Sequence, residues 1–335
     1  MNNLLDPAIL FFVFGVAAGL IKSNLEIPQP ISRFLSLYLL MALGLKGGFA
    51  LAHSGFTAAV GASLGAAVAL AVGVPLLGFT LLRRIVPPFD AAAVAATYGS
   101  VSAVTFVTAV QYLETRHIGY GGHMAAAMAL MESPAIVLAV VMANVLRQRE
   151  TAGVAILGQG AGVLAVPVPR AGLPIGKVLH ESLTDGAQLL LLGAMAVGLL
   201  SGDAGKAAMQ PFSGDLFKGM LAFFLLDMGL MTARSLPQLK DRSPLLIGYA
   251  VLAPLVHASI ALALGWMLGL QPGDGALLTV LAASASYIAV PAVLRYAIPE
   301  ANPSLYFSLS LGVTFPMNIL LGIPLYTAAA ATVLG

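Results

Sequence analysis

Long apolar stretches without charge constrain this chain more than any other feature. Residues 58–82 contain no charged side chain, and comparable runs recur along the chain. The hydrocarbon core of a bilayer is about 30 Å thick, so a helix needs about 20 apolar residues to cross it. A transmembrane β-barrel would instead show short segments of alternating polarity. The runs therefore predict an all-α membrane protein that crosses the bilayer many times.

The amino-acid composition excludes several classes of protein. Hydrophobic residues make up 59% of the chain and charged residues 9%, with a mean hydropathy of +0.95, whereas a soluble chain is about a quarter charged. The 16 Lys and Arg against 14 Asp and Glu leave no basic surface for nucleic acid. Zero cysteines exclude disulfides and thiolate metal sites. Without a nucleophile elbow, Walker loop or HExxH motif, we expect no enzyme and no cofactor.

Ten membrane spans are predicted, with boundaries uncertain by several residues. They lie near residues 6–21, 31–51, 56–82, 91–113, 122–146, 180–200, 214–234, 244–269, 274–297 and 304–333. No Lys or Arg precedes the first span, so we expect it to be retained rather than cleaved as a signal peptide. A Gly- and Pro-rich linker, 147–179, divides the chain into a first half, 1–146, and a second half, 180–335.

The distribution of Lys and Arg predicts the orientation. Of the 16 basic residues, those at 46, 116, 206 and 218 fall on one side of the predicted membrane, and the other twelve fall on the side of the linker. Cytoplasmic loops carry the excess of positive charge. The linker is therefore predicted to be cytoplasmic, with both termini outside.

The two halves resemble each other in the same order. LLMALGLKGGFAL (39–51) matches FLLDMGLMTARSL (224–236), and residues 90–112 match residues 274–296. The paired positions include Gly44 with Gly229, Asp90 with Asp274, Ser100 with Ser284, Ser102 with Ser286, and Pro134 with Pro316. Five spans per half is an odd number, so the second repeat must enter the membrane inverted. Inverted repeats are typical of secondary transporters that bind substrate near the midplane.

The fourth and ninth spans each carry a Ser-x-Ser cluster, in TYGSVSAVT (97–105) and ASASYIAVP (283–291). Serine hydroxyls, Gly99 and Pro291 weaken a helix, so both helices are predicted to be broken. Two half-helix N-termini would bind a small anion. The alternative is close helix packing by small residues, but the matched positions favour the first interpretation. The predicted substrate-binding residues are Ser100, Val101, Ser102, Thr105, Ser284, Ser286 and Tyr287.

Ionisable and polar groups inside spans are costly and indicate function. Glu132 lies two residues before Pro134, whose ring frees a carbonyl, and such oxygens suit a hard cation. We predict Glu132 as a sodium ligand, with a paired structural glutamate as the alternative. Thr314 and Asn318 mirror this position in the tenth span and complete the predicted sodium shell, although Asn318 could equally bond a neighbouring helix.

Asp227 is a further acid inside a predicted span. It is predicted either to contribute to the sodium site or to form an ion pair with Lys46 that holds the scaffold together. Both interpretations stay open on the sequence alone.

These motifs resemble those of the cyanobacterial-type sodium-dependent bicarbonate transporters. The resemblance is clearest in 98–106, 111–114, 131–145, 253–257, 298–306 and 323–326. It implies ten helices in a five-plus-five inverted repeat, a core moving against a gate, and a homotrimer. It also implies sodium-coupled bicarbonate uptake across the bacterial plasma (inner) membrane and inhibition by a cytoplasmic PII-like protein. In the family pattern an acid stands at the position of Glu132.

Departures from the family pattern concern the substrate more than the fold. Ala103 and Val104 replace Gly and Ser, and Tyr287 stands where the pattern has Asp. We therefore predict a sodium-coupled bicarbonate transporter, with two alternatives. One is the same fold carrying another small anion or carboxylate, or coupled to protons. The other is an anion-binding sensor or channel.

Overall fold

In a computed structural model, the chain is built from α-helices joined by short turns. The structure describes residues 5–158, 180, 184–240 and 242–335, without the side chains of residues 149–158, and this part of the chain contains no β-strand. The helices are α1 Pro7–Leu20, α2 Gln29–Ser54, α3 Ala58–Leu82, α4 Pro88–Gly99, α5 Ala103–Thr115, α6 His123–Gly158, α7 Gly186–Gln210, α8 Phe217–Ser235, α9 Pro244–Met267, α10 Pro272–Ala283, α11 Ala289–Ala297 and α12 Pro303–Leu334. Most of the predicted linker, 159–179, lies outside the described residues.

Seven helical stretches of the described chain are long and apolar enough to cross a membrane. Predicted span 214–234 and residues 186–200 of predicted span 180–200 fall within one of these stretches, Gly186–Leu239. Gly202 interrupts that stretch with a φ of 54°, a left-handed conformation that glycine adopts readily. Two shorter apolar helices, α1 and α10, add to the seven. The chain is therefore an all-α, multi-pass membrane protein, and the count of ten spans stays a prediction.

Two repeat-related glycines lie where helices cross most closely. A Cβ at Gly44 of α2 would collide with the backbone oxygen of Leu191 in α7, and a Cβ at Gly229 of α8 would collide with that of Phe12 in α1. Small residues allow membrane helices to approach to backbone contact. The matched glycines therefore both allow close helix contact, Gly44 between α2 and α7 and Gly229 between α1 and α8.

We expect Gly229→Val to destabilise the protein, because the added side chain must separate α1 from α8. Overpacking of this kind costs about 1–3 kcal/mol. The matched control is Gly73→Val in α3, where a Cβ would meet no atom within 4 Å. Thermal unfolding in detergent measures the difference. Equal melting temperatures for the two variants would contradict the close crossing.

Two aspartates fix the broken helices against each other. The Asp90 carboxylate at the start of α4 accepts a 2.7 Å hydrogen bond from the backbone N–H of Asn302, just before α12. Its repeat mate Asp274, at the start of α10, accepts a 2.6 Å bond from the N–H of Gly121, just before α6. The start of α4 thus lies beside the segment that follows α11, and the start of α10 lies beside the segment that follows α5. The broken helices α4–α5 and α10–α11 therefore run in opposite directions. We call the end with Asp90 the linker end and the end with Asp274 the outer end.

Candidate functional site

Both Ser-x-Ser clusters interrupt their helices. Helix α4 ends at Gly99 and α5 begins at Ala103, while α10 ends at Ala283 and α11 begins at Ala289. The first residue of each gap is extended, with ψ of −178° at Ser100 and 164° at Ser284. The last carbonyls of α4 and α10 and the first N–H groups of α5 and α11 therefore lack intrahelical partners.

The two breaks lie in contact. The backbone N–H of Ser102 donates a 3.0 Å hydrogen bond to the Ser284 hydroxyl, and the N–H of Ser286 donates a 2.8 Å bond to the carbonyl of Thr97. All four residues are buried. The breaks thus form one polar centre inside an apolar bundle.

Repeat-related serines accept hydrogen bonds from the first turns of the two half-helices that leave the breaks. Ser102 is the N-cap of α5, whereas Ser286 lies two residues before Ile288, the N-cap of α11. The Ser102 hydroxyl oxygen accepts from the Thr105 N–H at 3.2 Å and from the Thr105 hydroxyl at 2.9 Å. The Ser286 oxygen accepts from the Val290 N–H at 3.3 Å. Such hydrogen bonds fix the first turn of a helix, and helix N-termini attract anions. Two N-termini are therefore held rigidly at one place.

Ser100 breaks the symmetry of this centre. Its repeat mate Ser284 accepts from Ser102, so a symmetric structure would have Ser286 donating to Ser100. Ser286 donates instead to Thr97, and the buried Ser100 hydroxyl has no hydrogen-bond partner. Leaving a buried polar group unsatisfied costs about 1–3 kcal/mol. The Ser100 oxygen is thus left without a protein partner, at a position next to Val101 in the cavity lining but outside that lining itself.

A cavity of about 70 Å³ adjoins the breaks. One wall is formed by the starts of α5 and α11, and the opposite wall by the linker halves of α2 and α7. Among the residues that the structure describes, Glu132 of α6 is the only charged one in the cavity lining. The lining includes Val101, Ser102, Ala103, Val104, Ser286, Tyr287, Ile288 and Ala289 from the breaks, with Ser36, Leu40, Glu132 and Gln188 across from them. The starts of two half-helices and one carboxylate therefore border the same small cavity.

Glu132 connects α6 to α7. Its carboxylate accepts a 2.9 Å hydrogen bond from the Gln188 amide, whose oxygen accepts a 3.4 Å bond from Ser133. Sequence reasoning did not single out Gln188. The available signal was a lone amide at the start of an otherwise apolar run, GAQLLLLGAMAVGLL (186–200).

The positions that depart from the family pattern line the cavity. The buried Tyr287 ring packs edge-on against Phe315, with centroids 5.1 Å apart, and its hydroxyl lies 3.6 Å from the Met228 sulfur. Ala103 and Val104 add apolar surface beside it. The departures thus make this side of the site less polar.

The remaining sodium candidates lie outside the cavity lining. Thr314 donates to the Ala250 carbonyl at 2.7 Å and lies 2.7 Å from the Tyr98 hydroxyl. The Asn318 amide donates to the Ala283 carbonyl at 2.8 Å, at the end of α10. This is the helix–helix bond that the sequence left as the alternative for Asn318.

The predicted ion pair between Asp227 and Lys46 is wrong. Lys46 pairs with Glu114 of α5 at 2.9 Å, and the Asp227 carboxylate accepts a hydrogen bond from the Ser32 hydroxyl of α2. Glu114 also accepts from Tyr120 at 2.9 Å, and burial raises the pKa of the Tyr120 phenol, which keeps it a donor. The spans that place Lys46 beside Glu114 are far apart in sequence, so sequence spacing could not reveal the pairing.

The fold and the site define a polytopic helical membrane protein with a small polar centre between two broken helices. The chain belongs to the Na⁺-dependent bicarbonate transporter superfamily, whose family model matches residues 7–331. No curated protein matches the chain. The resemblance stated from the motifs is therefore confirmed, and membership in a transporter family also confirms that the protein is not an enzyme.

Proposed function

We propose that this protein is a secondary active transporter that couples sodium entry to bicarbonate uptake by alternating access. The observation that carries the proposal is the meeting of two half-helix N-termini with one carboxylate, Glu132, at a buried cavity. The helix ends favour an anion and the carboxylate favours a cation. Binding both together lowers the cost of moving either charge through a low-dielectric protein.

The anion is proposed to bind between the starts of α5 and α11. Ala103 and Ala289 are the first residues of their helices, and both line the cavity. Ser102 and Ser286 hold these helix starts in place, and Ser284 joins the two breaks. Bicarbonate is small, planar and rich in acceptor oxygens, so several donors converging from two directions suit it.

Sodium is proposed to bind at Glu132 and at the oxygens around Ser100. The unpartnered Ser100 hydroxyl lies directly after α4, whose last carbonyls lack intrahelical partners. Hydroxyl, carbonyl and carboxylate oxygens are the ligands that hard cations prefer. Thr314, Asn318 and Asp227 have weaker support as ligands. Unlike Glu132, none of them lines the cavity, and unlike Ser100, each has a protein hydrogen-bond partner.

Ser100→Ala is expected to raise several-fold the sodium concentration that half-activates uptake, because one coordinating oxygen is lost. The variant loses no protein hydrogen bond, since the hydroxyl has no partner. Ser308→Ala is the matched control, a buried serine bonded to the Leu305 carbonyl in its own helix. The measurement is the sodium dependence of initial uptake rates. Unchanged activation by sodium would remove Ser100 from the site.

The proposed membrane arrangement has ten crossing helices in a five-plus-five inverted repeat, with the breaks at the midplane. Opposed α4–α5 and α10–α11 segments support it, as do the matched glycine crossings. The gate would comprise α1, α2, α7 and α8, and the core the remaining helices. The linker would be cytoplasmic and both termini outside, in a bacterial inner membrane. The homotrimer and the PII-like regulator stay predictions from the family resemblance.

A second candidate function is uptake of a small monocarboxylate by the same site. Val104, Tyr287 and Ile288 give the cavity an apolar wall that could accept a short alkyl group. Proton coupling through Glu132 is the corresponding alternative to sodium. Flux without coupling would identify a channel, and binding without flux a sensor.

Uptake of labelled bicarbonate into proteoliposomes tests the proposal. At fixed pH and membrane potential, we expect saturable uptake with sodium outside and little uptake when choline replaces it. Acetate and formate in excess test the second candidate: strong competition would favour a carboxylate carrier. Uptake that depends on a pH gradient but not on sodium would replace sodium with proton coupling.

A further inference from the structure

A second cavity, of about 250 Å³, lies at the outer end of α5. Its polar wall is one face of α5, and its apolar wall comes from α1, α8 and α12. The polar lining comprises Thr108, Gln111, Thr115 and Arg116, with Asp6 at the start of α1. Ile9, Leu221 and Ile323 lie among the apolar residues. The site described above uses none of these residues.

Arg116 gives this cavity an uncompensated positive charge. In the described part of the chain no carboxylate forms an ion pair with Arg116, whose guanidinium lies 4.3 Å from the centre of the Tyr112 ring. The one acid in the lining, Asp6, is engaged by Lys218 at 3.3 Å and by the Ala8 N–H at 2.9 Å. The charge balance of the cavity and its neighbours is therefore positive.

Helix α5 joins this cavity to the helix breaks. One face of α5 carries side chains spaced three and four residues apart, as neighbours on one side of a helix are. They are Thr105, Thr108, Tyr112 and Thr115. Thr105 donates a hydrogen bond to the Ser102 hydroxyl. Thr108 lines the cavity of about 250 Å³, which we call the outer cavity. One polar face thus reaches from the proposed substrate site to the outer end.

We propose that the outer cavity is a binding site for a small monovalent oxyanion, held by the Arg116 guanidinium with the side-chain amide of Gln111. In the direction of transport it is the station that substrate occupies before it reaches the breaks, and that role rests on the proposed function. The site itself is defined by its charge and its volume, independently of transport.

Thiol labelling tests the charge of the cavity without requiring transport. The chain contains no cysteine, so Thr115→Cys, at an exposed residue of the lining, introduces a single thiol there. Anionic sulfonatoethyl and cationic trimethylammonioethyl thiosulfonates are compared on the purified protein at low ionic strength, each normalised to its rate with a free thiol. We expect the anionic reagent to be favoured several-fold, and bicarbonate to slow its reaction. Adding Arg116→Gln should abolish the preference, whereas adding Lys206→Gln, an exposed lysine outside this lining, should preserve it.

Uptake kinetics provide a second test of the proposed anion site. We expect Arg116→Gln to raise the KM for bicarbonate several-fold with little change in kcat, and Arg116→Lys to restore part of the loss. Equal labelling by the two reagents, or a preference that survives Arg116→Gln, would overturn the anion site. If the labelling preference is present but the wild-type protein takes up no bicarbonate, the proposed function fails while the site stands. An unchanged KM beside a confirmed labelling preference would overturn its place on the transport route.

Discussion

Glu132→Gln is expected to abolish sodium-dependent uptake. In the described part of the chain, the carboxylate is the only charged group lining the cavity at the helix breaks, and the amide that replaces it carries no charge for sodium to neutralise. The loss of one charged ligand should reduce the sodium-driven rate by about tenfold or more, which corresponds to about 1.4 kcal/mol. The measurement is the initial rate of uptake with sodium or with choline outside.

Two further variants separate the sodium role of Glu132 from a structural one. Glu26→Gln is the matched control, since it removes an exposed carboxylate outside the cavity lining. Gln188→Leu removes the amide that bonds Glu132 but keeps the carboxylate. We expect Gln188→Leu to retain activation by sodium. Full sodium activation in Glu132→Gln, or its loss in Gln188→Leu as well, would assign Glu132 to the contact between α6 and α7.

Ser102→Ala combined with Ser284→Ala is expected to weaken anion binding strongly. The double variant removes the cap of α5 and one of the two hydrogen bonds that join the breaks. A helix cap and a buried hydrogen bond contribute about 1 kcal/mol each, so the KM for bicarbonate should rise by about tenfold or more. The sodium dependence should persist, because Glu132 and Ser100 are intact.

The control for the serine pair is Ser63→Ala, which removes a buried hydroxyl bonded within α3 to the Ala59 carbonyl. Uptake kinetics and a thermal melt on each variant separate a binding defect from unfolding. A wild-type KM in the folded double variant would mean that these serines only allow close helix packing.

The helix breaks and the close helix crossings could be predicted because the same local sequence patterns occur in both halves of the chain. Ser102 and Ser286 occupy matched positions, and each accepts a hydrogen bond from the first turn of the half-helix that follows it. Gly44 and Gly229 likewise match, and each lies at a helix crossing. Local rules for caps, breaks and small residues act over a few residues, so the sequence displays them directly.

The features that could not be predicted depend on contacts between distant helices. Gln188 bonds Glu132 across 56 positions of the chain, and Lys46 bonds Glu114 across 68. The unpartnered Ser100 hydroxyl is a departure from the symmetry of the repeat, so the repeat itself predicts the wrong partner for Ser286. Only the packing of the two halves determines these contacts.

Concentrative uptake tests the central claim most directly. Proteoliposomes containing the wild-type protein are given an inward sodium gradient as the only driving force, with equal bicarbonate and equal pH on both sides. Coupled transport predicts that labelled bicarbonate rises above its outside concentration and returns to equilibrium when a sodium ionophore collapses the gradient. Uptake that stops at equal concentrations despite the sodium gradient would contradict coupling and identify a passive pathway.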